Sequence, residues 1–513
     1  MTPPSNQLPF VATDRRLFQA IGVVLILLFA LGNLPWTLDD YDQAKQAFVS
    51  YQMLEQHRWL FQTTPTEGLP ARGQRHSQFH INSKPPAIGW ASVVLYGITR
   101  SWDLAWRLPS FLTAIALAFL IFATAKKAFG DLAALTAVSA FGFNLFSPRL
   151  ATLVRTDMPL ALVCFAIGVL MFDKARTGRD WTARQRVMLF AFLVAGLFIK
   201  GPIVYAFVLP PVVIYQILQR WRGDFPTVWS GWWPWNASFA IFFAWIITGA
   251  LFVPGFYHDV IQVEFGERFR EGLHRSQPLL FYLAHLLHKF GPWTWLMIVL
   301  FVLGMRRNRI GSRTWLRNIS PEMCWLLAWA LGGIVVMSLI PSKRPDRIFP
   351  SLPPLCLLLA AQLNYFRQRK HSEVLLRRVV IAGILASAIY AGGYTATRVI
   401  QGYRTHRDAL EKLGREVRRN AQTSHLRYEV VRAPDEGLLL YLQRPRFLTF
   451  DHAAELWRAG ALDGLVLRAN DQLKLTQLPE IELPPRLNAI KDNDSGTKYI
   501  FVTRKSSSAP VAP

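Results

Sequence analysis

Residues 17–35 read LFQAIGVVLILLFALGNLP, a stretch without a charge, and Arg15 and Arg16 stand immediately before it. As a helix it is about 28 Å long, close to the hydrocarbon thickness of a bilayer. Similar apolar runs begin near residues 86, 108, 132, 158, 187, 201, 239, 279, 323, 348 and 379. Backbone inside lipid can satisfy its hydrogen bonds only in helices or closed barrels, so runs of this length predict a polytopic α-helical membrane protein with about 11–13 membrane segments. The first run passes into Trp36, Thr37 and Leu38 without a small-residue cleavage site, and reads as a retained helix.

Composition agrees. Of 513 residues, 52% are hydrophobic and 18% charged, against about 25% charged in soluble chains. The net charge of +24 would raise the question of nucleic acid if the chain were soluble. The cations instead cluster in short stretches between apolar runs, at 126–127, 176–186, 220–222, 306–317 and 367–378, as the positive-inside rule requires, and no nucleic-acid partner is expected. Cys164, Cys324 and Cys356 lie within apolar runs and read as small buried hydrophobes, not a disulfide framework or thiolate metal site. One inconsistency stands out. If 126–127, 176–186 and 220–222 all face the cytoplasm, the segments between 42 and 126 have the wrong parity, so one must be re-entrant, lie along the interface or break the charge rule.

Two stretches belong in water. Residues 38–85 mix acids, histidines, glycines and prolines, and within 43–59 the residues Ala44, Ala47, Phe48, Tyr51 and Leu54 fall at helical spacing. That pattern predicts an amphipathic helix against the membrane surface. From residue 401 charge returns: apolar runs at 438–442, 465–467 and 499–502 predict strands, alternating with helical patterns at 406–417 and 452–459. The expected organisation is a membrane module over 1–400 that includes the 38–85 loop, a small soluble α/β domain over 401–505 and a flexible tail over 506–513. The basic stretch 367–378 precedes the last apolar run, which places the terminal domain on the outer side together with the 38–85 loop.

Several polar groups sit at apolar boundaries. Asp39, Asp40 and Asp42 follow the first run; they either mark its wet end or form a site that binds a cation or takes a proton. His76 and His80 precede Lys84-Pro85-Pro86, where the prolines pin a lysine at headgroup level, to snorkel or to hold a lipid phosphate. Asp157 opens an apolar run, where an acid is expensive to desolvate and tends to be functional, although Pro159 also permits a helix-capping role. Cations recur in the 255–278 loop, with Arg268, Arg270 and Arg275, and in 342–350, with Lys343, Arg344 and Arg347. Both sets suit a phosphate in the headgroup region, and equally ordinary anionic lipid.

Taken in order, these motifs resemble a known family. Asp42-Gln43-Ala44-Lys45-Gln46-Ala47 with Met53-Leu54, Lys84-Pro85-Pro86, Arg155-Thr156-Asp157-Met158-Pro159-Leu160, Lys200-Gly201-Pro202, Arg268-Phe269 with Arg275-Ser276-Gln277-Pro278 and Tyr282, and Ser342-Lys343-Arg344-Pro345 with Pro350 are similar to motifs of multi-pass glycosyltransferases of the C-type fold. The likeness is to the branch of bacterial aminoarabinose transferases that modify lipid A, with protein O-mannosyltransferases as more distant relatives. It covers roughly residues 42–354, with a looser likeness in the terminal domain. Gln43 stands where the family usually has glutamate, and Asp346-Arg347 replace its Thr-Tyr.

The resemblance implies an inverting hexosyl or pentosyl transfer from a polyprenyl-phosphate sugar to a hydroxyl or phosphate of an envelope lipid, glycan or protein, at the periplasmic face of a bacterial inner membrane. On that reading Asp42 is the base, and Asp157 orients the acceptor or contributes to a cation site. Lys84, Arg268, Lys343 and Arg347 contact the donor phosphate, while Asp40, His80, Arg275 and Tyr282 take acceptor or structural roles. Cations of the chain can neutralise the leaving phosphate, so no cofactor is required, with a divalent ion near Asp42 and Asp157 left open. Two other classes use the same features: a transporter or flippase of an anionic polyprenyl lipid, which needs cations but no base, and a noncatalytic assembly protein.

Overall fold

The computed structural model describes residues 12–38, 40–63, 84–224, 227–266, 277–308, 319–368, 373–431, 435, 437–468, 478–479, 481–482, 490–491 and 498–505. The helices, in chain order, are α1 (Ala12–Leu31), α2 (Tyr41–Glu55), α3 (Ala87–Thr99), α4 (Trp102–Phe129), α5 (Asp131–Gly142), α6 (Ser147–Leu150), α7 (Asp157–Thr177), α8 (Ala183–Lys200), α9 (Ile203–Arg222) and α10 (Trp233–Phe252). After a π-helical turn, Tyr257–Gly266, come α11 (Phe281–Lys289), α12 (Trp293–Asn308), α13 (Pro321–Leu339), a 3₁₀ segment Pro345–Ser351 that runs into α14 (Leu352–Gln368), α15 (Glu373–Arg404), α16 (Ala409–Thr423), α17 (Gly437–Leu442) and α18 (Phe450–Arg458). The chain forms two compact units, one of residues 1–33, 107–248 and 265–397, the other of 34–106, 249–264 and 398–513.

Seven helices among the described residues are long and apolar enough to cross a bilayer, and the pair Phe281–Lys289 and Trp293–Arg306, bent by 103°, makes an eighth if it counts as one span. The wider expectation of about 11–13 segments also took in shorter apolar helices, of which α3 and α5 are examples. At 13 residues α3 is about 20 Å long, too short to cross alone. Among the described residues between 42 and 126, α4 is then the one helix long enough to cross, which gives that interval the odd count it needs.

The first unit is an antiparallel helical assembly whose two ends differ in chemistry. At one end the positive-inside clusters are tied together: Lys127 to Asp173 at 3.4 Å, Arg176 to Glu322 at 3.5 Å, and Arg222 to the Ile319 carbonyl at 2.6 Å. Between the ends the packing is aromatic and tight. Trp329 stacks on Phe165 at 5.1 Å, and Trp325 donates its indole N–H to the Gly168 carbonyl at 3.2 Å. Cys164, Cys324 and Cys356 are all buried and free, as their apolar surroundings predict.

The second unit holds α2 and α3 together with the terminal α/β part. The apolar stripe of α2 does not lie open to a membrane surface as its amphipathic pattern predicts. Ala44, Ala47, Phe48 and Tyr51 are buried, and α2 packs against α3 and α17. Gly89 lets the α2 and α3 axes approach: a methyl there would meet Val49 and Met53 at 2.7 Å. Ser50 accepts the Trp106 indole N–H at 3.0 Å. A stripe at helical spacing fixes which face is buried and says nothing about whether lipid or protein covers it.

In the terminal part, a mixed sheet has the order β1 (Tyr428–Val430), β2 (Gly464–Arg468), β5 (Lys498–Arg504) and β3 (Ile481–Glu482), with β4 (Ile490–Lys491) also on β5. The β1 and β2 strands are parallel, and β5 runs antiparallel to β2. The predicted strands at 465–467 and 499–502 and the helices near 406–417 and 452–459 are present, while the predicted strand at 438–442 is instead helix α17. All of Gly437–Leu442 is buried, and a short run buried on every side carries no periodicity to separate strand from helix. This helix anchors the entry to α2. The Leu38 N–H donates to the Tyr441 hydroxyl at 2.8 Å in a buried position, and Gly437 lies against the Leu38 backbone. Tyr441→Phe strands that N–H and is expected to cost about 1–3 kcal/mol. The measurement is the thermal unfolding midpoint of purified protein; an unchanged midpoint would mean that another group satisfies Leu38.

Candidate active site

The end of the first unit opposite the basic clusters gathers most of the charged residues singled out in its sequence. The approach to α7 is a run of bends, yet it is tightly held. Asn33 donates to the Arg149 carbonyl at 2.5 Å and to Thr152 Oγ1 at 2.8 Å, and Ser110 donates to the Leu153 carbonyl at 2.6 Å. These bonds satisfy buried backbone groups that no helix accommodates. They also aim Arg155 and Asp157 at fixed partners.

Asp157 is the first residue of α7 and 5% exposed, and the N-cap before it, Thr156, makes no side-chain capping bond. The Asp157 carboxylate takes the ammonium of Lys200, the last residue of α8. The α8 helix stops there because Gly201 adopts φ +75°, favourable only for glycine, and Pro202 opens α9. The Lys-Gly-Pro break therefore puts a cation where α7 begins. Arg155 pairs with Asp346 at 3.0 Å, with side chains 12% and 14% exposed. Asp346, one of the three residues that depart from the family pattern, thus neutralises an arginine of the Arg-Thr-Asp motif.

The 3₁₀ segment supplies the rest. Lys343 donates to the Gln277 carbonyl at 2.8 Å, and Gln277 in turn donates its N–H to the Pro341 carbonyl at 3.2 Å. Arg347 donates to the Ser342 carbonyl and closes its own loop, so besides its expected phosphate role it braces the segment that carries Lys343. Tyr282 is fully buried in α11, which packs against the same 3₁₀ segment. The structure therefore brings Arg155, Asp157, Lys200, Tyr282, Lys343, Asp346 and Arg347 to one end of one unit.

Asp40, Asp42 and Lys84 belong to the second unit. Asp40 is the N-cap of α2 and accepts the Asp42 N–H at 3.1 Å, a structural role. Asp42 is partly buried in the first turn of α2. Lys84 is partly buried just before α3, which starts after Pro86 as the double proline predicts. Asp39, His76, His80, Arg268, Arg270 and Arg275 lie outside the described residues.

Among the described residues no group of three or more His, Cys, Asp or Glu is placed to hold a metal ion. A divalent ion at Asp157 would have to displace Lys200. In the sequence Lys200 stands out only as the first residue of the Lys-Gly-Pro motif. The signal available was that an acid at a membrane threshold needs a named partner, and that the start of one helix and the end of the next share one end of an antiparallel hairpin.

Comparison with known proteins points the same way. A family model described as dolichyl-phosphate-mannose-protein mannosyltransferase matches residues 83–255. An undecaprenyl phosphate-alpha-4-amino-4-deoxy-L-arabinose arabinosyl transferase of Photorhabdus laumondii is 25% identical over 352 residues, 66% of this chain and 57% of that protein. One from Yersinia enterocolitica is 24% identical over 384 residues, 70% of this chain and 62% of its own. The match thus spans less than two thirds of either relative. Among solved structures, ArnT from Cupriavidus metallidurans bound to undecaprenyl phosphate aligns at TM-score 0.68 and 19% identity, over 97% of this chain and 99% of that one. The oligosaccharyltransferase AglB from Archaeoglobus fulgidus, in complex with an inhibitory peptide and a dolichol-phosphate, aligns at TM-score 0.52 and 11% identity, over 91% and 71%. The chain is a multi-pass membrane protein with the C-type glycosyltransferase fold, and in sequence it resembles the bacterial aminoarabinose transferases.

Proposed function

We propose that the chain transfers a sugar from a polyprenyl-phosphate donor to a hydroxyl or phosphate of an envelope lipid, glycan or protein, on the periplasmic side of a bacterial inner membrane. The observation that carries this reading is the surplus of cations at one end of the first unit: Arg155, Lys200, Lys343 and Arg347 against Asp157 and Asp346. Such an excess in a partly desolvated place suits a phosphate that gains negative charge as it leaves. The end lies opposite the positive-inside clusters, which supports the outer side.

In the proposed reaction an acceptor oxygen attacks the anomeric carbon while the bond from that carbon to the phosphate oxygen breaks. For a hydroxyl acceptor the Asp42 carboxylate takes the proton. The polyprenyl phosphate departs with an added negative charge, offset by the Lys343 ammonium, which uses one of its three donors on Gln277 and has two more to offer. Lys84, Arg268 and Arg347 are assigned to the same phosphate. Asp157 acts through Lys200 as a positioning residue. Cations of the chain do the neutralising, so the reaction as proposed needs no resident metal.

The test is transfer of label from a radiolabelled undecaprenyl-phosphate sugar to envelope lipids and glycans by the purified chain in detergent. Labelled acceptor is expected. Lys343→Met keeps the apolar stem and removes a charge-assisted hydrogen bond, and should weaken donor binding by roughly 10-fold or more. Movement of labelled lipid across reconstituted vesicles without a covalent product would favour a flippase instead.

A further inference from the structure

The terminal part of the second unit contains a cleft of about 440 Å³, a volume suited to a small ligand, lined by Arg418, His425, Tyr428, Gln443 and Arg444 among others. Helices α16 and α17 both end at it. Basic side chains at helix C-termini commonly serve to cap the last carbonyls, but here backbone does that work. The Leu426 N–H donates to the Ala421 carbonyl at 2.8 Å, and the Arg444 N–H donates to the Leu439 carbonyl at 2.9 Å. In each turn the left-handed residue is not the usual glycine: His425 has φ +50° and Gln443 φ +53°. Both positions thus carry a side chain, at some conformational cost, and both line the cleft.

The cations are held ready. The Arg444 guanidinium lies 4.0 Å over the Tyr428 ring, whose hydroxyl is fixed by donation to the Leu442 carbonyl at 2.6 Å. Glu429 reaches Arg444 only at 3.8 Å, and the Arg444 Nε is buried without a partner among the described residues. Arg418 is partly buried on the facing turn of α16 and makes no ion pair among the described residues. Two guanidiniums and an imidazole against one carboxylate, beside an aromatic ring, form a planar-donor arrangement suited to a tetrahedral oxyanion.

The geometry points to a phosphate-binding site in this cleft, for a phosphate carried on a glycan or on a lipid headgroup. It stands apart from the proposed transfer chemistry and can be scored without turnover. Calorimetric titration of the full chain in detergent with N-acetylglucosamine 1-phosphate should show binding, and N-acetylglucosamine should bind much more weakly. Arg418→Gln, which breaks no hydrogen bond or ion pair among the described residues, should weaken binding of the phosphosugar by roughly 10- to 100-fold, and Arg418→Gln with Arg444→Gln should abolish it. Flotation with phosphatidylglycerol and phosphatidylcholine vesicles separates the sources. Phosphosugar binding that phosphatidylglycerol does not compete assigns the site to a glycan phosphate, whereas competition that requires Arg418 assigns it to a lipid headgroup phosphate. Equal binding of both sugars, or phosphosugar binding indifferent to Arg418, overturns the proposal.

Discussion

Asp42→Asn is expected to lower sugar transfer to a hydroxyl acceptor by about 10²- to 10⁴-fold, the usual contribution of a positioned general base, with donor binding retained. Asparagine keeps the volume and much of the hydrogen bonding in the first turn of α2, and the Asp40 cap that starts the helix is untouched. The substitution therefore removes proton-accepting capacity with little structural change. Asp40→Asn is the matched control: asparagine also caps well, so turnover should stay near that of the parent. The same pair of variants reads out the acceptor. A phosphate monoester, whose second pKa is about 6, offers an already anionic oxygen at neutral pH and needs no base. A normal rate for Asp42→Asn with a hydroxyl acceptor would remove Asp42 from the chemistry.

The largest expected effect on stability belongs to Lys200. Lys200→Met leaves the Asp157 carboxylate buried at 5% exposure without its ammonium, and breaking a buried pair from one side costs about 3–5 kcal/mol. Asp157→Asn with Lys200→Met replaces two charges by neutral groups and should recover much of that loss, since neutral replacement of a buried ion pair is often tolerated. Thermal midpoints of the two single variants, the double variant and the parent form the cycle. Strictly additive losses would show that the pair carries no coupling and that its geometry at the ends of α7 and α8 has another origin. If Asp157 acts through Lys200 in the reaction, the double variant should regain stability without regaining transfer.

The sequence by itself determined that this is a membrane protein of many helices, because uncharged runs near 30 Å long have no other way to satisfy their backbones. It also fixed where helices start and stop around Pro85-Pro86 and Gly201-Pro202, since proline and glycine act locally through φ and the missing N–H. The basic clusters were legible for the same reason: they report a side, not a contact. The ordered motifs pointed to the fold. What lay beyond reach was every decision made by partners distant in sequence. The pairing of Asp157 with Lys200 and of Arg155 with Asp346 depends on helix ends meeting in space. Arg347 looked like a phosphate ligand, yet its guanidinium also closes its own loop on Ser342. The α2 stripe announced a buried face without saying that α3 and α17 cover it, and the run at 438–442 announced burial without saying helix or strand. Local backbone chemistry is written residue by residue, whereas charge pairing and the choice of covering surface are settled only when the whole chain competes for the same few buried positions.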